Sequence, residues 1–143
     1  MLQAIANASW ANVWAAISAI STLSTLIVAI IAMRVWKSQE KLKAKQAFKS
    51  SIAEYAWCLA MMPEDLKVTP TDELANQMVE SVNRLYNCRH AWLATEGLLN
   101  NNKAVSQSWE FIRTKHGDYM NGKITNKDLI EKTKVILAEK FVF

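Results

Sequence analysis

The sequence predicts an all-α protein in which a single N-terminal transmembrane helix precedes a cytoplasmic four-helix bundle. The first 33 of its 143 residues carry no charged side chain. Beyond them, apolar residues recur at helical spacings of three and four, and the whole chain has three glycines and two prolines. We therefore divide the chain into an anchor, residues 1–36, and a helical domain, residues 37–143.

The anchor contains an apolar segment, Val13 to Trp36, that is long enough to cross a bilayer as one helix. From Trp14 to Trp36 it measures about 33 Å at about 1.5 Å per residue, against a hydrocarbon core about 30 Å thick. Tryptophan favours the two membrane interfaces. The segment therefore predicts a single span, with Trp10 and Trp14 at one interface and Trp36 at the other.

A step in charge predicts the orientation of this span. Basic residues accumulate on the cytoplasmic side of membrane helices. Six follow the apolar segment, opposed by a single acid: Arg34, Lys37, Lys41, Lys43, Lys45 and Lys49. The sequence therefore predicts that the N-terminus lies outside and that residues 37–143 lie in the cytoplasm. A cleaved signal peptide fits poorly, because no basic region precedes the apolar run and a basic one follows it.

The same six residues account for the net charge of +4. Residues 34–49 hold six basic and one acidic residue, whereas residues 50–143 hold eleven basic and twelve acidic ones. A juxtamembrane basic cluster is attracted to anionic lipids. The basic pI is thus explained by the bilayer as partner, and we expect no DNA partner.

The sequence contains no phosphate-cradling glycine loop, no nucleophile elbow and no metalloprotease motif. Cys58, Cys88, His90 and His116 lack zinc-ligand spacing, and a cytoplasmic location argues against a disulfide. We expect two buried thiols, no catalytic residues, no metal and no cofactor.

Helical periodicity and capping residues divide the cytoplasmic domain into four helices. The first ends at Pro63; the second starts at Thr69 or Thr71 and runs to about Leu98. The third covers about 104–120, and the fourth is capped by Thr125 or Asn126. The predicted buried positions are Phe48, Ile52, Tyr55, Leu59 and Met62 in the first helix; Ala75, Met78, Val82, Leu85, Trp92 and Leu93 in the second; Val105, Trp109, Ile112 and Tyr119 in the third; and Leu129, Thr133, Ile136, Leu137 and Phe141 in the fourth.

Small residues form a heptad seam along the membrane helix. The seam comprises Ala11, Ala15, Ser18, Thr22, Thr25, Ala29 and Ala32, preceded by Ala4 and Ala8. Small residues let membrane helices approach closely, so the seam predicts a homo-oligomer. The alternative is an isolated anchor whose hydroxyls bond their own carbonyls one turn back. The hydroxyls of Ser18, Ser21, Thr22 and Thr25 also raise the possibility of a pore.

Four residues are candidates for binding an anionic ligand: Arg89, Arg113, Lys115 and His116. Arg89 falls on the predicted apolar face of the second helix, where it needs a buried carboxylate (Glu54, Glu96 or Glu110) or a phosphate. His116 falls on the third helix's apolar face, as a hydrogen-bonded core histidine or a ligand. Lys103, Arg113, Lys115, Lys123 and Lys127 form either a solvated basic end or a polyanion site.

An enzymatic alternative rests on Arg84 and His90, which have the Arg-x5-His spacing of HEPN-type ribonucleases. In those helical enzymes arginine and histidine converge on one RNA phosphate. Here the two residues fall within one predicted helix, where positions six apart diverge by about 120°. The spacing therefore favours a non-enzymatic protein.

The layout of anchor 13–36, basic helix 37–62 and bundle 72–142 resembles the small single-pass membrane effectors of bacterial anti-phage defence, notably CRISPR-associated ones. The resemblance is one of architecture and carries no site residue over. It implies an oligomer that senses a cyclic oligoadenylate or an RNA-guided complex and then perturbs the inner membrane. The alternative function is a scaffold or phage-exclusion protein that binds a protein partner.

Overall fold

The computed structural model describes residues 2–67 and 71–141, with side chains from Trp10 onward, and shows the all-α fold that the sequence predicts. The four helices are α1 (Leu2–Ala60), α2 (Asp72–Ala94), α3 (Lys103–Met120) and α4 (Asn126–Ala138). The described residues contain no strand. Internal contacts divide the chain into two units, one ending at Gln39 and the other beginning at Glu40.

The N-terminal unit is a segment of α1 that is long and apolar enough to cross a membrane. Every side chain from Trp10 to Lys37 is exposed. Its apolar side chains therefore have no protein environment in this chain, as expected of a segment that meets lipid.

The C-terminal unit has one core, to which all four helices contribute. The faces predicted for α1, α3 and α4 are confirmed. Phe48, Ile52, Tyr55, Leu59 and Met62 are buried in α1, and Val105, Trp109, Ile112 and Tyr119 in α3. In α4, Leu129, Thr133 and Ile136 are buried, while Leu137 and the following Phe141 pack against the core.

Three aromatic rings join α1, α2 and α3 at one end of this core. Phe48 meets Trp92 and Trp109 edge-on, with ring centroids 5.1 and 5.6 Å apart, and the two tryptophans stack at 5.9 Å. Edge-to-face and offset stacked pairs each contribute about 0.5–1.5 kcal/mol beyond burial. The cluster therefore fixes the spacing of α2 and α3.

The predicted face of α2 is right in part, because Met78, Leu85 and Trp92 pack against the core as predicted. At its other edge the predicted face is wrong by one residue, or about 100° of helix rotation. The core side carries Leu74, Met78, Ser81, Leu85, Cys88, Trp92 and, just after the helix, Thr95. Ala75, Arg89, Leu93 and Glu96, which were expected inside, are exposed. Ser81 and Thr95 enter the core because their hydroxyls donate to the carbonyls of Met78 and Trp92, both at 2.7 Å.

The helix ends follow local chemistry. The Thr71 hydroxyl accepts from the Leu74 N–H at 3.3 Å and caps α2, whereas Thr69 lies outside the described residues. Helix α2 ends at Ala94, four residues before the predicted Leu98, because Glu96 and Gly97 have φ values of 49° and 80°. Two left-handed residues in succession cannot continue a right-handed helix.

The segment after α1 is tied to α3 and α4 by buried polar groups. Asn126 Nδ2 donates to the carbonyls of Leu59 and Met62, both at 3.1 Å, while the Tyr119 hydroxyl donates to the Pro63 carbonyl at 2.7 Å. Thr125 caps α4 as predicted, and Asp128 accepts from its N–H and hydroxyl at 3.2 and 3.0 Å. The Asn126 and Tyr119 bonds reach carbonyls at and just after the end of α1, where the helix itself supplies few N–H donors. The Leu59 carbonyl also accepts from the Met62 N–H at 3.1 Å.

Candidate functional site

Two of the four predicted ligand residues meet in a cleft between α2 and α3. Arg89 from α2 and Arg113 from α3 line it together with Tyr86, Val82, Leu85 and Trp109, and its volume is about 270 Å³. Ligand pockets usually measure about 300–1,000 Å³. The cleft is therefore large enough for a phosphate with part of a nucleoside, and too small for a whole cyclic oligonucleotide.

The two guanidinium groups of the cleft differ in their partners. Arg113 forms a two-point ion pair with Glu110, with Nη2–Oε1 at 2.7 Å and Nε–Oε2 at 3.1 Å. This pairing lowers the pKa of the Glu110 carboxyl and raises that of Arg113. Arg89 is exposed and forms no salt bridge within residues 2–67 and 71–141. The predicted buried pairs of Arg89 with Glu54, Glu96 or Glu110 are thus wrong, because α2 turns Arg89 outward.

Tyr86 and Trp109 belong to the cleft but were not predicted as site residues. Trp109 is 3% exposed and held by the aromatic cluster, so it forms a rigid floor. Tyr86 is 54% exposed and lies one helical turn before Arg89. A tyrosine next to an arginine on one helix surface can stack on a nucleotide base while the arginine binds the phosphate. The i, i+3 spacing of Tyr86 and Arg89 is visible in the sequence and could have identified this pair.

The basic end of α3 is largely paired with acids. Lys115 Nζ lies 2.8 Å from an Asp118 carboxylate oxygen, and Lys123 lies 3.9 Å from the other one. Lys127 pairs with Glu64 at 2.8 Å. Lys115 is therefore separate from the Arg89–Arg113 cleft, and these lysines already have carboxylate partners.

His116 is a core histidine, as the more conservative interpretation of the sequence predicts. Its ring is 5% exposed, and Nδ1 lies 2.7 Å from the Tyr55 hydroxyl. Burial lowers the pKa of His116 to about 4. The imidazole is therefore neutral at physiological pH and contributes no positive charge to an anion site.

The residues of the ribonuclease alternative have different surroundings. The Arg84 guanidinium bonds two carboxylates, Glu54 at 2.6 Å and Glu80 at 2.7 Å. His90 is exposed further along the same uninterrupted helix. With its charge engaged by two carboxylates, Arg84 is poorly placed to bind an RNA phosphate.

The hydroxyls of the membrane seam bond within their own helix. Thr22 donates to the Ser18 carbonyl and Thr25 to the Ser21 carbonyl, both at 2.9 Å. Thr22, Thr25 and the rest of the seam from Ala11 to Ala32 are exposed, while the side chains of Ala4 and Ala8 lie outside the described ones. Helix association along the seam would therefore depend on close packing rather than on threonine hydrogen bonds between subunits.

The cysteines differ in burial. Cys88 is fully buried, and burial raises the pKa of its thiol to about 12, whereas Cys58 is half-buried. No group of three or more potential metal ligands occurs in the part of the chain that the structure describes. Comparison of the chain with protein-family models, curated proteins and solved structures finds no match.

Proposed function

We propose that this chain is a single-pass, self-associating membrane effector whose cytoplasmic helical domain senses an anionic messenger and perturbs the bacterial inner membrane in antiviral defence. The observation that carries the proposal is the cleft in which Arg89 and Arg113 meet beside Tyr86. It occurs in a chain that also has a long apolar segment of α1, from Trp10 to Trp36, in which every side chain is exposed. The defensive role and the cyclic oligoadenylate class of messenger come from the architectural resemblance.

The orientation in this proposal depends on the basic residues that follow the apolar segment. Lys37, Lys41 and Lys43 are exposed on α1. Each basic residue near an anionic leaflet contributes about 1 kcal/mol of attraction, and such residues stay on the cytoplasmic side. The cleft then lies in the cytoplasm, where a nucleotide messenger is made.

Binding in the cleft would begin at Arg89. Its guanidinium has no carboxylate partner among residues 2–67 and 71–141, whereas Arg113 must share its donors with Glu110. A phosphodiester would accept from Arg89 while its base stacks on Tyr86, since aromatic side chains stack on bases irrespective of sequence. The cleft has room for one phosphate and part of its nucleoside, so the remainder of a cyclic oligonucleotide would stay outside it.

Action on the membrane would depend on the small-residue seam. Ala15, Ala29 and Ala32 permit close approach between helices. The hydroxyls of Thr22 and Thr25 donate to carbonyls of their own helix, so they need no hydrogen-bond partner on a neighbouring helix. We propose that ligand binding changes how these helices pack, from a closed bundle to one that lets ions or solutes pass.

A binding measurement on the full chain in phosphatidylcholine nanodiscs tests the cleft. Cyclic oligoadenylates of several ring sizes are compared with a linear oligoadenylate. We expect one cyclic form to bind, and Arg89→Gln to raise its dissociation constant about tenfold, as the loss of a charged hydrogen bond does. Lys134→Gln, which removes an exposed charge from α4, is the matched control. Equal affinities of the Arg89 variant and the control would contradict the proposal.

A second candidate function is the protein-binding scaffold or phage-exclusion protein. Val79 and Leu93 favour it, because both are more than 60% exposed on the outer side of α2, outside the apolar span. Recovery of one stoichiometric partner by the intact chain, lost on Leu93→Asp, would support this function. Retention of the partner by that variant would exclude the outer side of α2 as its site.

A further inference from the structure

A second, larger groove lies between α1 and α2, and the Arg89–Arg113 cleft has no part in it. It extends from Ala53 on α1 to Met61, the residue after that helix, and from Glu73 to Arg84 on α2, with a volume of about 800 Å³. Its apolar lining includes Trp57 and Met61, which are 68% and 56% exposed. These two side chains, four residues apart, form an uncovered apolar ridge along one side of the groove.

The rim of the groove is acidic. Its charged lining residues are the carboxylates Glu54, Glu73 and Glu80 and a single guanidinium, Arg84, which gives a local charge of −2 in a chain whose net charge is +4. Arg84 bonds Glu54 at 2.6 Å and Glu80 at 2.7 Å, so it holds one carboxylate from each helix in place. Each carboxylate retains acceptor capacity for a further donor.

We infer that this groove is a docking site for a basic amphipathic helix of a partner protein. A helix laid along two neighbouring helices can cover the ridge with apolar residues spaced three and four apart. Lysine or arginine residues flanking that stripe would then meet Glu54, Glu73 and Glu80 at the rim. Charge complementarity of this kind determines which partner binds and how fast.

The shape of the groove favours a helix over a small molecule. Small-molecule sites are enclosed and bury about 70–90% or more of the ligand, whereas both apolar side chains of this groove stand mostly in solvent. Tryptophan is also among the residues that dominate protein–protein binding energies. Trp57 is therefore the expected anchor of the interface.

The test uses the full chain in phosphatidylcholine nanodiscs and two labelled synthetic helices of about 18 residues. Both peptides carry leucine on one face; the other positions are lysine in one peptide and glutamate in its match. We expect the lysine peptide to bind at least about tenfold more tightly. Equal binding of the two peptides, no binding of the lysine peptide, or equal binding to empty discs would overturn the inference.

Two variants, each with a matched control, locate the contact. Trp57→Ala should weaken binding of the lysine peptide about tenfold or more, while Val135→Ala, at an exposed apolar position on α4 outside the groove, should leave it unchanged. Glu73→Gln should weaken binding and Glu131→Gln, on α4, should not. An unchanged affinity of the Trp57 variant would overturn the proposed anchor. So would a loss of oligomer mass in that variant without bound peptide, because a second copy would then occupy the groove.

Discussion

The hydroxyl of Tyr55 and Nδ1 of His116 lie 2.7 Å apart inside the core, between α1 and α3. Tyr55 is fully buried, and burial raises its pKa well above the ordinary value of tyrosine. Both groups are therefore neutral, and the hydrogen bond between them pairs the Tyr55 hydroxyl with Nδ1 of the imidazole. His116 Nε2 is buried without a protein partner among the described residues, so this bond is the one that the ring retains.

We expect Tyr55→Phe to destabilise the fold by about 1–3 kcal/mol, because it leaves both nitrogens of His116 buried and unbonded. Chemical denaturation of the full chain in detergent, followed by far-UV circular dichroism, measures this. The double variant Tyr55→Phe/His116→Leu should recover much of the loss, since replacing both partners by apolar groups is nearly neutral. If the double variant loses as much unfolding free energy as the single variants Tyr55→Phe and His116→Leu lose together, the two side chains are not coupled.

Stability should depend on pH through the same histidine. In the fold, burial lowers the pKa of His116 to about 4, against about 6.5 in the unfolded chain. Between these values the unfolded state binds more protons, so stability is full above about pH 6.5 and falls as the pH approaches 4. The loss attributable to His116 is about 3 kcal/mol. His116→Leu should flatten the unfolding free energy over this range, and an unchanged pH slope would contradict the assignment.

Asn126 should matter more than its place at the start of a helix suggests. Asn126→Ala removes the side-chain donor from the carbonyls of Leu59 and Met62, and Leu59 then keeps only its bond from the Met62 N–H. We expect a loss of about 1–3 kcal/mol in unfolding free energy. Asn121→Ala is the control, because its amide bonds a carbonyl of its own helix in an exposed setting. Equal losses for the two variants would show that the bonds to α1 add nothing.

The seam makes a prediction about assembly. Replacing Ala15, Thr22 and Ala29 by leucine should raise the dissociation constant of the oligomer in detergent about tenfold or more, because bulk prevents close packing. Leucine at the off-seam positions Ala16 and Ala19 is the matched control. Sedimentation equilibrium distinguishes the two sets. If both sets give the same oligomer mass, the helical domain, residues 37–143, alone drives assembly.

The faces of α1, α3 and α4 were predictable because each helix has one stripe of large apolar residues. Helix α2 has two. The observed stripe passes through Leu74 and Cys88, and the predicted one passes through Val82 and Leu93. Both include Met78, Leu85 and Trp92, so periodicity alone cannot choose between them. The core takes the stripe that includes Ser81 and Thr95, whose hydroxyls bond their own helix.

This one-residue error at α2 also determined how Arg89 was interpreted. On the predicted face Arg89 needed a buried acid, whereas on the observed face it is exposed beside Arg113 in the cleft. The pairing of Tyr55 with His116 could not be predicted either, because the two residues are 61 positions apart. The sequence indicates a core histidine, but only the packing of α1 against α3 supplies its partner.

Dye release from vesicles tests the central claim, that an anion bound at the Arg89–Arg113 cleft acts on the membrane. The full chain is reconstituted in dye-loaded vesicles that contain anionic lipid, and the cyclic oligoadenylate that binds most tightly is added. We expect dye release to increase with ligand concentration. Arg89→Gln should raise the ligand concentration needed for half-maximal release about tenfold, and Lys134→Gln should leave it unchanged. Release that is absent, or that is the same with and without the ligand, would contradict the account.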